Sequence, residues 1–393
     1  MTKIQSHKDM TVNLRLGSPV IGNDFYGRKR ELEKALELIR HNNIMLAAPR
    51  RVGKTSFSKK LLSLLEEEGW NTVFMDLEGI ADIPRFFKVF HDKLMQLPAI
   101  TASTKLKELV SKILPDIDLS VKALGGTTVG AHFSNQTDNL FDKLLTILKS
   151  LENHTIIIFD ELTVLLESLT SETTDSVVKD FLNQFRALRQ ETADNCSWLI
   201  CSSIGVRNFA TLHKVSDTLN DVIDFELGAY TDEEADGLIQ ALCETRGITI
   251  NEECRQYILN KIGWNIPYFI QLLVGHLPIT EITDTGIIED SYTEVLRLAS
   301  ASFDTWNERI SKEYGENEQP AKRILLYLCV EIQGKIRNDI YNHVQAIFPD
   351  FANDRFSILL RTLETDGYLT RSEGNYLFRS PLLRDYWKST FCG

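Results

Sequence analysis

Residues 43–55 read NIMLAAPRRVGKT, a short apolar run followed by a loop that ends in Gly-Lys-Thr. A strand that leads through such a loop into a helix lets successive backbone N–H groups wrap a chain of phosphates. In that chemistry Lys54 reaches the β- and γ-phosphates, the Thr55 hydroxyl ligates Mg²⁺, and Gly53 leaves room where a Cβ would collide with phosphate. The stretch therefore predicts a nucleotide-phosphate loop, although Ala48 stands where the pattern GxxxxGK(S/T) has its first glycine.

The sequence around this loop predicts a parallel α/β sheet. An amphipathic helix is expected over 28–40, and a helical run over 55–65 leads to a second apolar strand, Thr72–Asp76. A strand, a helix and a strand in such short succession form a βαβ unit, whose strands are parallel and whose crossover is right-handed. Further buried strands are predicted at Thr155–Phe159 and Ser197–Cys201.

One of these strands ends in a pair of acids. Residues 156–161 read IIIFDE, so Asp160 and Glu161 follow a fully apolar run. In phosphoryl transfer, Asp160 would hold the Mg²⁺ shell and Glu161 would polarise the water that attacks the γ-phosphate. Acids at a strand end also serve as helix caps, which is the alternative interpretation. Together with the Gly-Lys-Thr loop, the pair predicts ATP hydrolysis.

The strand that contains Trp198 ends in Ser202 and Ser203. In a parallel sheet this end lies at the phosphate-binding edge, so Ser203 is a candidate for orienting the attacking water. Equally, both hydroxyls are candidates for hydrogen bonding the backbone of a turn. Because a guanidinium stabilises the charge of phosphoryl transfer, Arg207 and Arg51 are the arginines predicted to contact nucleotide or a neighbouring subunit.

Composition excludes several classes of protein. Of the 393 residues, 43% are hydrophobic and 25% are charged, which excludes a disordered, collagenous or coiled-coil chain. The net charge of −12 repels nucleic acid and anionic lipid unless a local patch is basic. No apolar run reaches the length of a membrane span and no secretory signal is visible, so a cytoplasmic protein is expected. The six cysteines have no spacing typical of a zinc site or a disulfide scaffold.

Four regions are predicted along the chain. Residues 1–23 form an N-terminal arm, and residues 24–228 form the α/β core with a β-hairpin inserted near 115–135, where the segments 117–122 and 128–133 alternate. Helical patterns without strands predict an all-α lid over 229–318. Three helices and a hairpin that turns at Glu373–Asn375 predict a winged helix over 319–393.

With these motifs in place, the chain resembles the STAND-type AAA+ ATPases, specifically the archaeal-ATPase group close to the origin-recognition initiators. The matching segments cover roughly residues 24–275. They are FYGRKREL (25–32), APRRVGKTS (48–56), IIIFDEL (156–162), CSSIG (201–205), LGAYTDEEA (227–235) and GWNIPYF (263–269).

This resemblance implies an adenine site. The FYGR segment would cover the base from one side and Pro267 would contact it from the other, although Phe25 and Tyr26 also fit a hydrophobic staple ahead of a helix. One departure is that the lid has no Gly-x-Arg second sensor, since the nearest basic residue is Lys261. The predicted nucleotide contacts are Phe25, Tyr26, Gly27, Arg28, Pro49, Arg50, Arg51, Val52, Gly53, Lys54, Thr55, Ser56 and Pro267.

The sequence and the resemblance together predict two alternative functions. The first is a slow, regulated ATPase that converts ATP and water to ADP and phosphate, in which nucleotide exchange controls conformation, self-assembly and action on a protein partner. The second is a DNA-binding AAA+ protein, initiator-like or a transposition helper, that uses the winged helix. Residues 320–393 hold ten basic and eight acidic side chains, a balance of +2 that is low for a DNA reader. Charge therefore favours the first function.

Overall fold

The computed structural model describes residues 11–113, 131–173, 175–202, 205–298 and 300–392. The described residues divide into two compact units. The first unit comprises residues 28–48 and 54–227, and the second comprises residues 11–27, 49–53 and 228–392. Among the described residues, no helix combines the length and the apolar character needed to span a membrane.

A five-stranded parallel sheet forms the centre of the first unit, in the spatial order β2-β3-β4-β1-β5. Every residue of β3 and β4 is buried, as expected for strands covered by helices on both faces. The predicted P-loop NTPase fold of AAA+ type, with its parallel sheet, is confirmed. The strands are β1 (Asn43–Ala47), β2 (Asn71–Asp76), β3 (Thr155–Asp160), β4 (Cys196–Ser202) and β5 (Val222–Glu226).

The helices of the first unit cover this sheet. Their packing buries an aromatic cluster in which Phe159 of β3 stacks on Phe185 at 5.1 Å and meets the edge of Phe86 at 5.5 Å. The helices are α1 (Lys29–Ile39), α2 (Lys54–Glu67), α3 (Ile83–Leu94), α4 (Pro98–Thr101), α5 (Thr104–Ser111), α6 (Ala131–Lys149), α7 (Leu162–Glu172), α8 (Asp175–Glu191) and α9 (Gly205–Leu212). The helices predicted over 28–40 and 55–65 are confirmed as α1 and α2.

The predicted hairpin insertion is corrected at one end. Residues 114–130 lie outside the described residues, so most of the prediction stays untested. Ala131, His132 and Phe133, which the alternating pattern assigned to the second hairpin strand, are the first three residues of helix α6. An alternation over so few residues does not distinguish a strand from the first turn of a helix.

The second unit contains the helices of the predicted lid. The first of them starts with a capping box, in which Thr231 Oγ1 accepts from the Glu234 N–H at 3.2 Å and the Glu234 carboxylate accepts from the Thr231 N–H at 3.1 Å. The helices are α10 (Asp232–Thr245), α11 (Glu252–Ile262), α12 (Pro267–Gly275), α13 (Thr285–Leu298) and α14 (Ser300–Glu313). The expectation of an all-α segment is wrong, because β6 (Thr249–Ile250) pairs with β7 (Glu281–Ile282) in parallel.

Residues 318–391 add four helices and a three-stranded antiparallel sheet in the order β8-β10-β9. The predicted hairpin is present, and it turns at Glu373 and Gly374, both of which have positive φ (51° and 85°) as a two-residue type I′ turn requires. The elements are α15 (Glu318–Leu328), β8 (Lys335–Ile336), α16 (Arg337–Ile347), α17 (Asn353–Thr365), β9 (Leu369–Ser372), β10 (Asn375–Phe378) and α18 (Pro381–Phe391).

The described part of the N-terminal arm packs within the second unit. Asp24 accepts hydrogen bonds from the backbone and side chain of Asn13 at 3.0 and 2.8 Å, and it pairs with Arg15 at 2.6 Å. The Arg15 N–H donates to Gln271 Oε1 in α12 at 2.8 Å. These contacts fix the approach of the chain to residues 25–27.

Candidate nucleotide site

Three strands of the first unit end side by side at one edge of the sheet. Because β4 lies between β1 and β3, the register pairs Ala47 with Ser202 and Cys201 with Asp160. On the far side of β3, Asp76 of β2 is paired with Asp160. The strand order therefore brings the two acidic strand ends and the end of β1 to one edge of the sheet, the edge where ligands bind in open parallel sheets.

The centre of this edge is a hydrogen bond between the Thr55 hydroxyl and Asp160. Thr55 Oγ1 donates to Asp160 Oδ2 at 2.7 Å, and Asp160 is 4% exposed. Burial raises the pKa of Asp160 to about 6; the negative Glu161 and Asp76 also raise it, while the Thr55 hydrogen bond and Lys54 oppose the rise. Thr55 and Asp160, the two residues that the sequence predicts as metal ligands, are therefore in direct contact.

These residues fit a Mg²⁺ ion. Asp160 Oδ1 is buried and has no hydrogen-bond partner among the described residues, so a hard oxygen donor is available beside the Thr55 hydroxyl. Among the described residues, no cluster of three or more His, Cys, Asp or Glu side chains is arranged to hold a metal. A Mg²⁺ site with one carboxylate and one hydroxyl is of the kind that takes its other ligands from phosphate and water.

Replacing Asp160 with Asn is expected to stabilise the protein when Mg²⁺ and nucleotide are absent. The pKa of Asp160 in the folded protein is about 6, above its ordinary value of 3.8, so the folded protein holds the proton more tightly than the unfolded chain does. The stabilisation that results is fully present below pH 3.8 and is lost as the pH rises through 6. The shift corresponds to about 3 kcal/mol at pH 7.5. Urea unfolding of Asp160→Asn and wild type from pH 5 to 7.5 measures this gain, with the exposed Asp180→Asn as the control. A variant less stable than wild type at pH 7.5 would contradict it.

Lys54 is the first residue of helix α2 and lies inside the site. Its Nζ donates to the Ala48 carbonyl at 2.9 Å and is 3.9 Å from Glu161 Oε1. The side chain is 6% exposed, an unusual burial for lysine that its polar neighbours make tolerable. The ammonium group is thus held at the first residue of the phosphate-loop pattern.

Glu161 adopts a left-handed backbone conformation (φ 57°) between β3 and α7. For a residue other than glycine this conformation costs free energy, and such positions cluster at functional sites. The side chain is 19% exposed and makes no capping hydrogen bond to α7. Glu161 thus occupies the N-cap position of α7 without capping the helix through its side chain, and its carboxylate lies beside Lys54.

The end of β4 is tied to two neighbouring helices. Ser202 and Thr163 of α7 share a short hydroxyl–hydroxyl hydrogen bond, and Ser58 of α2 lies 3.0 Å from the Cys201 sulfur. Ser202 is fully buried, so its hydroxyl serves this connection. Ser203, the predicted orienting residue, lies outside the described residues. Sequence reasoning missed Thr163 because its partner is 39 residues away along the chain.

Arg207, predicted to assist catalysis, is held by the start of β5. Its guanidinium pairs with Asp224 at 2.8 Å and donates to the carbonyls of Leu219 and Val222 at 3.1 and 3.2 Å. Val222 is the first residue of β5, whereas the candidate site lies at the carboxyl ends of the parallel strands. These contacts support a structural role for Arg207.

Residues 49–53 form the body of the phosphate loop and belong to the second unit. Arg51 and Gly53 both have positive φ (70° and 96°). The Arg51 guanidinium lies over the Tyr268 ring at 4.2 Å, and Arg50 pairs with Glu313 at 3.1 Å. Both arginine side chains are thus engaged by the second unit. Of the other predicted contacts nearby, Val52 is buried and Ser56 lies in the first turn of α2, while Pro49 begins the loop.

The FYG segment also packs within the second unit. Phe25 and Tyr26 are buried, and the Tyr230 hydroxyl donates to the Tyr26 carbonyl at 2.7 Å. Gly27 has φ 69°, and a Cβ there would lie 2.9 Å from the Tyr230 ring, so both conformation and space require glycine. The staple alternative is wrong, because helix α1 has Arg28 as its N-cap and the preceding residue is Gly27.

The remaining predicted contacts have clear positions. Arg28 is 2% exposed and pairs with Glu31 at 3.1 Å. Pro267 is the first residue of α12, where its fixed φ suits a helix start. Lys261 pairs with Glu289 at 2.7 Å and lies over the Tyr292 ring.

Comparison with known proteins identifies the domain. The ATPase_2 family, described as an ATPase domain predominantly from Archaea, matches residues 25–225, just over half of the chain. The fold is similar to that of the Walker-type ATPase of Pyrococcus abyssi, with 13% identity, coverage of 98% of this chain and 100% of that chain, and a TM-score of 0.60. It is also similar to the ORC2 protein of Aeropyrum pernix in ADPNP–ADP complexes, with 10% identity, 93% and 95% coverage, and a TM-score of 0.53. No curated protein sequence matches this chain significantly.

Proposed function

Because this chain belongs to the ATPase_2 family of predominantly archaeal ATPase domains, we propose that it is an ATP-binding and ATP-hydrolysing molecular switch of the STAND/AAA+ type. The observation that supports the proposal best is the Thr55–Asp160 hydrogen bond of 2.7 Å, with Lys54 and Glu161 at the same sheet edge. This arrangement supplies a metal ligand pair, a cation for phosphate and a carboxylate for water.

The proposed roles divide among these four residues. Thr55 and Asp160 would hold Mg²⁺, which neutralises phosphate charge when it is bound. Lys54 binds the phosphate oxygens, and its low exposure strengthens that attraction because water screens it poorly. Glu161 orients the attacking water and accepts its proton. Ser203 is proposed to assist in orienting that water.

The proposed nucleotide contacts are completed by the loop backbone and by the FYGR segment with Pro267. Because Arg51 and Gly53 both have positive φ, we propose that residues 50–53 form an anion-binding nest, in which successive backbone N–H groups face one anion. The buried aromatic segment 25–27 and Pro267 are proposed to contact the adenine, as the resemblance to AAA+ ATPases implies.

We propose that α15–α18 and the three-stranded sheet form a winged helix that contacts protein rather than DNA. Of its ten basic side chains, seven are already engaged by acids, amides, hydroxyls or backbone carbonyls, which leaves a weak field for phosphate. These are Lys322, Lys335, Arg337, Arg355, Arg371, Arg379 and Arg384.

The switch is tested by the mass of the protein in its two nucleotide states. Glu161→Gln protein loaded with Mg²⁺ and ATP is expected to form a larger species than the same protein loaded with ADP, because exchange controls self-assembly. Light scattering after gel filtration measures both samples. Equal masses in the two states at every protein concentration would contradict the switch.

A labelled DNA duplex added to the same samples separates the two functions. We expect no complex at low salt. A tight complex that weakens steeply with salt would instead show phosphate contacts, and it would support the DNA-binding function.

A further inference from the structure

We infer that Arg50 and Arg51 are positioning residues, which hold the phosphate loop in its nucleotide-binding conformation through contacts inside the second unit. We call the two contacts, Arg50–Glu313 and Arg51–Tyr268, the loop clamp. The inference rests on the proposed function, since it concerns a nucleotide bound by this loop. It differs from the sequence prediction, in which both arginines contact the nucleotide directly.

Glu313 is a rigid anchor for Arg50. One carboxylate oxygen accepts from Arg50 at 3.1 Å, and the other accepts from Arg309 Nε at 2.6 Å. Arg309 also pairs with Asp366 at 3.4 Å, and Asp366 accepts from the Tyr314 hydroxyl at 2.8 Å. Arg309 and Asp366 are 3% and 4% exposed, so the anchor is part of a buried network.

Charge balance explains why Arg50 belongs to this network. In their ionised forms Asp366 and Glu313 carry two negative charges, and Arg309 supplies one positive charge. Arg50 supplies the second, so the four side chains are neutral together. Burial raises the pKa of Asp366, and the positive Arg309 opposes that rise. Without Arg50, a carboxylate with limited access to water would lose one of its cationic partners, which is costly in a partly buried network. Arg50 and Glu313 are 38% and 22% exposed, so water screens this pair in part, and the contact biases the loop toward the conformation in which Arg50 reaches Glu313.

Arg51 restrains the same loop at the next residue. Its φ of 70° is left-handed, a conformation that is unfavourable for any residue with a Cβ. The guanidinium lies 4.2 Å from the centre of the Tyr268 ring, and Tyr268 is 8% exposed in the first turn of helix α12. A cation over a buried aromatic ring is a favourable contact, and here it offsets the cost of the left-handed backbone.

The clamp has a consequence for nucleotide binding. The anion nest of residues 50–53 requires positive φ at Arg51 and Gly53, and the clamp fixes this geometry before a ligand arrives. A site that is already ordered pays less conformational entropy on binding. Loss of the clamp would therefore speed nucleotide release and weaken affinity, while the residues at Asp160 and Glu161 keep their chemistry.

The experiment measures release of a fluorescent ADP analogue from Arg50→Gln, Glu313→Gln and wild-type protein. We expect release about fivefold to tenfold faster in both variants. The matched control is Glu308→Gln on the same helix, which removes an exposed pair with Lys312 and should release ADP like wild type. Far-UV circular dichroism verifies that each variant is folded, and Glu313→Asp, whose shorter side chain also breaks the contact with Arg50, replaces Glu313→Gln if that variant does not fold.

Four results separate a positioning role for Arg50 from direct contact with phosphate, and from failure of the proposed function. In the Arg50→Gln/Glu313→Gln double variant, the two effects should not add, because both substitutions break one contact. The KM for ATP should rise while kcat at saturating ATP stays within about twofold of wild type. If Arg50→Gln speeds release and folded Glu313→Gln does not, Arg50 is a direct phosphate ligand and the inference is wrong. Wild-type protein that binds no ADP would instead refute the proposed function.

Discussion

The Glu161→Gln variant is expected to bind ATP as tightly as wild type and to hydrolyse it at least about 100-fold more slowly. The amide has nearly the shape of the carboxylate, so the turn between β3 and α7 is preserved. It cannot accept a proton from the attacking water, and it lacks the charge that polarises that water. Release of inorganic phosphate at saturating ATP measures the rate, and titration with a fluorescent ATP analogue measures affinity.

The control for this prediction is a substitution of an exposed acid in the same unit, distant from Glu161 in the sequence. Glu191 at the end of helix α8 is 56% exposed in its pair with Lys149, so Glu191→Gln should retain the wild-type rate. Hydrolysis by Glu161→Gln within about threefold of wild type would show that another group activates the water.

The Lys54→Ala variant is expected to lose tight nucleotide binding, with a dissociation constant raised at least about 100-fold. The ammonium group is 6% exposed at the end of the phosphate loop, where it contacts the Ala48 carbonyl and lies 3.9 Å from Glu161. Removing it takes away a cation that water cannot replace efficiently at this depth. Fluorescence titration with ATP and ADP analogues measures the loss.

Lys60→Ala is the matched control, since Lys60 lies on the same helix α2 and is more exposed than Lys54. It should bind nucleotide like wild type. A folded Lys54→Ala protein with unchanged affinity would place the nucleotide somewhere other than this loop.

The sheet and the centre of the site were predictable from local sequence. The strand–loop–helix pattern at residues 43–65 and the apolar run that ends in Asp160 each carry their signal within a few residues. Because parallel strands bring their carboxyl ends to one edge, the Thr55–Asp160 contact follows from two segments that are 105 residues apart. The topology of the parallel sheet therefore brings together residues that are distant in the sequence.

Other features depend on contacts that no local pattern encodes. Asp76 is paired with Asp160 by strand register, which the sequence of β2 alone does not reveal. Arg50 lies in a motif typical of phosphate binding, yet its side chain pairs with Glu313, which is 263 residues away. The type of a loop residue predicts its chemistry, whereas its partner depends on tertiary packing.

The errors in secondary structure have a similar origin. The strands β6 and β7 have two residues each, which is too short to show an alternation of apolar and polar side chains. Their pairing therefore could not be predicted from a region whose sequence pattern is helical. The contacts of Arg207 with the start of β5 could not be predicted from the sequence either. A single arginine after a strand has the same sequence pattern whether its role is catalytic or structural.

The most direct test of the central claim is single-turnover hydrolysis of ATP labelled at the γ-phosphate by the wild-type protein, with Mg²⁺ and with a chelator. The account predicts hydrolysis that requires Mg²⁺ and is abolished in Lys54→Ala at the same protein concentration. Hydrolysis that persists in folded Lys54→Ala, or wild-type protein that neither binds nor cleaves ATP with Mg²⁺ present, would contradict it.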